Sequence, residues 1–222
     1  MSVHGSTEVQ KYAYDKNGKP HEIVDFADDY IGAKLGFWLF LFTEVMLFSV
    51  LFITYMFYLY NHQADFIEQS GGMNILLGGI NTVLLLLSAY FMGMSLVSMK
   101  QNNVSKSKLY LILTIVSAII FLTIKYFEWA HEFHIGIYPN SEKLLAMSQG
   151  ANLFFGLYFT MTGLHAIHII LGIGVMLWVF TKMRNNSINS KHYIVLENTA
   201  LYWDLVHLVW VFLFPLVYII GL

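Results

Sequence analysis

Glu44, Lys125, Glu128, His165, His168, Asp204 and His207 stand in stretches of the chain that are otherwise almost wholly apolar. Carboxylates and imidazoles in such surroundings are the groups that relay protons, and histidine is also the commonest metal ligand. Six of the seven come in pairs three residues apart: Lys125 with Glu128, His165 with His168, and Asp204 with His207. That spacing sets both members of a pair on one face of a helix. Glu44 stands apart, about a dozen residues into an apolar stretch that begins near residue 32 and contains Gly36-Phe-Trp-Leu-Phe-Leu-Phe-Thr-Glu44-Val-Met-Leu-Phe-Ser49. It is too deep to reach water and needs a partner, either as a neutral hydrogen-bonded acid or as the acceptor for a nearby histidine.

Three chemistries compete for these residues: a metal or haem site, a proton relay, and hydrogen bonding between helices. A haem bundle brackets its porphyrin with histidines well separated along two facing helices, and the second apolar stretch contains none. A catalytic zinc needs a third ligand and an open position, which the spacing does not supply. Paired histidines in a helix bundle more commonly tie helices together. No cofactor or metal is therefore expected on this chain. The absence of cysteine removes disulfides, thiolate sites and c-type haem attachment as well.

The elements that position these groups follow from composition. Of 222 residues, 57% are hydrophobic and 12% charged, against roughly a quarter charged in soluble proteins. The solvent of such a chain is lipid. Five segments are long and apolar enough to cross it as helices, near 32–60, 74–99, 107–129, 152–180 and 197–221. This is an all-α membrane domain, 31–222, preceded by a polar tail over residues 1–30. The tail has no apolar core of a secretory signal and is expected to be exposed, meeting the membrane around Ile23 to Tyr30.

Threading five spans places the tail and the loops at 100–108 and 181–196 on one side. That side carries ten of the twelve basic residues, the exceptions being Lys143 and the intramembrane Lys125. Basic loops face the cytoplasm, so the N-terminus is expected inside and the C-terminus outside. Small residues at Gly78, Gly79 and Gly93, and at Gly156, Thr160 and Gly163, are expected to let helices approach closely. Tyr55, Tyr58 and Tyr60, with Trp129 and Tyr138, read as an aromatic belt at the outer surface. Pro215 is expected to kink the last span and free a carbonyl that must find a partner.

From about Gly32 to Leu222 these polar positions resemble subunit III of the haem-copper terminal oxidases. Glu44, in its aromatic and apolar run, is similar to the family's membrane glutamate. Asn81, Thr82, Leu85, Leu86 and Ser88 resemble the second-span pattern, with Ala89 in place of a second serine. Lys125, Glu128 and Trp129 resemble the end of the third. Thr162, Gly163, His165 and His168 resemble the fourth, with Ala166 where glycine is common. In the last span the family reads histidine first and aspartate second, whereas this chain has Trp203-Asp204-Leu-Val-His207-Leu-Val-Trp210. Both positions share a helical face, so an Asp–His contact is compatible with the exchange.

The resemblance implies a subunit without redox centres of its own, packed against a subunit I that holds the haems and copper. It implies the five-helix bacterial form, lacking the two further helices that make one arm of a lipid-filled cleft in longer members. Glu44 would face that cleft and subunit I, in a protein associated with sustained proton uptake, protection during turnover and a proposed oxygen route through lipid. Bound phospholipid, the rest of the oxidase complex and a location in the bacterial inner membrane belong to the same expectation. Nucleic acid does not. The network expected to stabilise the bundle comprises Glu44, Asn81, Glu128, His165, His168, Asp204 and His207. Two alternatives stand beside it: a subunit III homologue of a quinol oxidase or nitric-oxide-reductase cluster, and an independent proton-coupled transporter using Glu44, Asp204 and His207 as a relay.

Overall fold

Apolar segments in lipid must satisfy their own backbone, and a helix does so within a single segment. The computed structural model describes residues 12–14, 20–22, 26–185, 187–190 and 192–221. The remainder of the stretch read as a polar tail lies outside the described residues. Five helices are long and apolar enough to cross a membrane, over Ile31–Asn61, Ile75–Lys100, Val104–His134, Gln149–Arg184 and Ile194–Ile219. They belong to α1 (Phe26–Asn61), α3 (Ile75–Lys100), α4 (Val104–His134), α6 (Gln149–Arg184) and α7 (Ile194–Phe214). Two short helices, α2 (Gln63–Gly71) and α5 (Glu142–Leu145), lie in the connections.

The chain falls into two compact units, residues 1–40 and 41–222. The first contains an antiparallel pair of three-residue strands, β1 (Tyr12–Tyr14) and β2 (Pro20–Glu22), with Ala13 opposite His21. The second holds the helix bundle. There α3 and α4 form an antiparallel hairpin, closed by Asn102 at φ 61°, a left-handed conformation that asparagine tolerates. Asn103 then caps α4 by accepting from the Lys106 amide at 3.1 Å. Across the hairpin, Ser95 Oγ donates to the Ser107 carbonyl at 2.9 Å.

The last span is the most enclosed of the five and the first is the least. α7 packs against α3 and α6 through Trp203 and Trp210, both almost wholly buried. Its contact with α6 is close because Gly172 has no side chain: a Cβ there would lie 2.8 Å from Trp203 Cζ3. On the α3 side, a Cβ at Gly78 would lie 2.9 Å from Phe214 Cε2. Gly79, Gly93 and Gly156 border open space instead, so of the small residues read as packing points these three do not serve that purpose.

Pro215 ends the α-helix at Phe214, and the chain continues as one π-helical turn, Pro215–Ile219. The wider winding leaves carbonyls for side chains to reach, as the proline led one to expect. Tyr55 donates to the Leu216 carbonyl at 2.5 Å and Ser70 of α2 to that of Val217 at 2.8 Å. Tyr55 is therefore fully buried against Phe66 and Phe154 rather than part of an interfacial belt. Tyr60 remains 87% exposed. α2 also holds the start of α6, since Asp65 accepts from Ser148 at 2.8 Å while Ser148 caps α6 through the Ala151 amide at 3.2 Å.

Candidate functional site

Residues 41–61 of α1 meet the rest of the bundle through few side chains, and one of them is Glu44. Its Oε2 lies 2.7 Å from His168 Nε2 on α6, and the His168 ring sits edge-on to Phe48 at 5.1 Å. His168 Nδ1 lies 2.8 Å from the Leu164 carbonyl. A carbonyl only accepts, so Nδ1 carries a proton and donates it. A second proton must then lie between Nε2 and Oε2, because a bare ring nitrogen and a carboxylate would repel at that distance. Imidazolium with carboxylate and imidazole with carboxylic acid are both electrically neutral as pairs, which suits apolar surroundings. Tyr202 of α7 completes the arrangement by donating to the His168 carbonyl at 3.0 Å.

The second cluster is built on α4. Lys125 and Glu128 are both buried, with Nζ 2.9 Å from Oε1. The same carboxylate oxygen accepts from Tyr158 on α6 at 2.7 Å and from Tyr218 in the π turn. Lys125 donates in addition to Tyr218 at 2.8 Å, and its ammonium lies 5.2 to 5.5 Å from the ring centroids of Tyr158, Trp210 and Tyr218. The two residues that their spacing sets on one helical face thus form an ion pair, and it lies within the core. An ion pair so deep depends on this enclosure of donors and aromatic faces, since Coulomb attraction alone rarely repays desolvation.

The third cluster joins α3 to α7. His207 Nδ1 lies 2.5 Å from the Trp203 carbonyl, while Nε2 lies 2.9 Å from Ser88 Oγ and also contacts the Leu85 carbonyl. Trp203 Nε1 donates to Ser88 Oγ at 3.0 Å, and two turns further on Trp210 Nε1 donates to Thr82 at 3.0 Å. Asp204 has no share in this. It faces outward while His207 is buried, so the Asp–His contact compatible with the exchanged motif is not made. The buried side of α7 is centred on Trp203, His207 and Trp210, and Asp204 falls beyond its edge.

His165 and Asn81 are wholly buried, and no described residue offers a hydrogen bond to either side chain. His165 stacks on Trp210 with centroids 5.3 Å apart and meets Phe121 edge-on at 5.8 Å. The expected network is therefore three separate contacts: His165 does not join Glu44 and His168, and Asp204 does not join His207. Spacing overlooked Tyr158 and Tyr218. Tyr158 is legible in retrospect, since it shares a buried face with Thr162, His165 and Ile169. Tyr218 reaches the cluster because of the π turn, which residue spacing does not signal. Among the described residues, no three His, Asp or Glu side chains come together as a metal site. His165 lies against Phe121 and Trp210, His168 against Phe48, and His207 against the Leu85 carbonyl.

Against known proteins, the family model for cytochrome c oxidase subunit III matches residues 27–222. A probable quinol oxidase subunit 3 of Staphylococcus haemolyticus is 29% identical over 194 residues, spanning 85% of this chain and 89% of that one. Quinol oxidase subunit 3 of Bacillus subtilis is 29% identical over 188 residues, spanning 85% and 87%. A haem-copper oxidase subunit I+III of Aeropyrum pernix is 29% identical over 195 residues, covering 84% of this chain and 22% of that longer protein. With the match running through all five spans and the polar clusters they hold, the chain belongs to the cytochrome c oxidase subunit III family.

Proposed function

We infer that the chain is the accessory subunit III of a haem-copper respiratory oxidase, an integral membrane protein that associates with the catalytic subunit I. The observation that carries this reading is the family match over residues 27–222 of a five-span bundle. In this reading the haems and copper reside in subunit I, which reduces oxygen to water with proton pumping. The residues of this chain maintain the shape of the partner's support and sustain its proton uptake. Glu44 with His168, the Lys125–Glu128 pair with Tyr158 and Tyr218, and His207 with Ser88 are the polar ties between helices, and Asn81, His165 and Asp204 complete the set of functional positions. The polar stretch 1–30 and two basic loops lie in the cytoplasm, and the C-terminus faces the periplasm of a bacterial inner membrane, as the ten segregated basic residues support. Phospholipid binds the exposed apolar surface.

The relatives named as quinol oxidase subunits favour one specific form of this reading, in which quinol supplies the electrons. Purification of the chain from its native membrane in mild detergent tests the assignment. Haem-bearing subunits are expected to copurify, with oxygen consumption driven by quinol. A colourless protein migrating alone would overturn the subunit reading, and activity with reduced cytochrome c in place of quinol would overturn the choice of donor.

A further inference from the structure

Asp204 lies near the middle of the last span, Ile194–Ile219, and faces outward. Its neighbours on that face are apolar: Leu208 is 51% exposed, Val211 44% and Phe212 55%. No described residue gives Asp204 a hydrogen bond or an ion pair. A carboxyl at the centre of a spanning helix costs about 2.5 to 3.5 kcal/mol on insertion scales, and such groups generally pair with one another or line a hydrated cavity. Asp204 is ten residues from the start of its span, about 15 Å along the helix at 1.5 Å per residue, which sets its short side chain within the apolar stretch. Of the α1 residues that border the adjoining groove, Val45, Phe48 and Phe52 are apolar, and Ser49 donates its hydroxyl to the Val45 carbonyl at 2.7 Å.

The donor must therefore come from another membrane-embedded segment. We propose that the outward face of α7 around Asp204, Leu208 and Val211 docks against a transmembrane helix of subunit I, which presents a cationic or N–H donor to the Asp204 carboxyl at mid-membrane. This deepens the subunit III reading and rests on it. Charge complementarity selects the chemistry of the partner. A second copy of this chain meets the requirement poorly, because a two-fold contact through this face would bring two Asp204 carboxyls together. Subunit I meets it, and the Aeropyrum pernix relative carries subunits I and III as one protein.

The test uses the intact complex. A photo-crosslinking amino acid at Leu208, with Asp204 retained, is expected to link this chain to subunit I. Links to lipid only, or to a second copy of the chain, would overturn the proposal. In parallel, Asp204→Asn, which keeps a hydrogen-bond acceptor but not the charge, is expected to retain more of subunit I than Asp204→Leu. Asp204→Leu is expected to lower the ratio of copurifying subunit I about tenfold, the effect of losing roughly 1.4 kcal/mol or more from a desolvated polar contact. The ratio is read against the helix content of the purified Asp204→Leu chain, so that misfolding is recognised, and the crosslink then decides. An undiminished ratio for a folded Asp204→Leu overturns the docking. Absence of subunit I from the wild-type preparation overturns the subunit reading itself.

Discussion

His168 Nε2 and Glu44 Oε2 lie 2.7 Å apart and form the principal polar link between α1 and α6. Because α1 is the least enclosed span, a single contact of this kind has more influence on its position than it would on α7. Glu44→Gln keeps an N–H donor for Nε2 and is expected to leave the subunit anchored. Glu44→Ala leaves a ring nitrogen without a partner, at a cost of about 1 to 3 kcal/mol. The temperature at which the subunit dissociates from the complex should fall for Ala, with activity lost over fewer turnovers, and change little for Gln. The haem content of the complex should be the same for both, and its loss would refute a purely supporting role.

The buried pair Lys125 and Glu128 predicts a strongly non-additive result. Lys125→Met alone leaves a carboxylate in the core and is expected to destabilise by about 3 to 5 kcal/mol, as is Glu128→Leu, which removes the counter-charge of the ammonium. Replacing both with apolar residues removes both desolvation costs, so the double variant is expected to be more stable than either single one. Thermal unfolding of the four proteins in the same detergent reads the cycle. Additive losses would show that the tyrosines, and not the opposite charge, satisfy each group.

His165 and Asn81 behave differently because their polar atoms have no partner among the described residues. Apolar replacements of similar shape, His165→Phe and Asn81→Leu, forfeit no hydrogen bond and are expected to leave stability unchanged or raised. His165→Phe also preserves an aromatic face for Trp210. A loss above about 2 kcal/mol for either in thermal unfolding would mean that the group is bonded in the membrane-embedded protein.

Gly172 and Gly174 give a paired test of helix packing. A methyl group at Gly172 would meet the Trp203 ring, whereas at Gly174 nothing lies within 4 Å. Gly172→Ala is expected to cost about 1 to 3 kcal/mol through displacement of Trp203, whose indole N–H holds Ser88. Gly174→Ala should be neutral or slightly stabilising, since alanine favours the helix. Equal unfolding temperatures for the two variants would contradict the close approach of α6 and α7.

Much of this protein is written locally and was legible without a structure. Hydropathy alone determined five spanning helices, because a helix in lipid satisfies its hydrogen bonds within a single segment. Local spacing also foresaw the Lys125–Glu128 pair, since residues three apart on a helix are neighbours whatever surrounds them. The need of Glu44 for a partner was likewise plain from its depth. The identity of that partner was not: His165 and His168 share a helix and a spacing motif, and only the rotation of α6 against α1 brings His168 to the carboxyl and leaves His165 on Trp210. The same rotation argument separates His207 from Asp204, and the π turn after Phe214 carries Tyr218 into the lysine cluster. Tertiary structure decided these points because they depend on how one helix is turned toward another, and that angle is set by the packing of all the side chains between them.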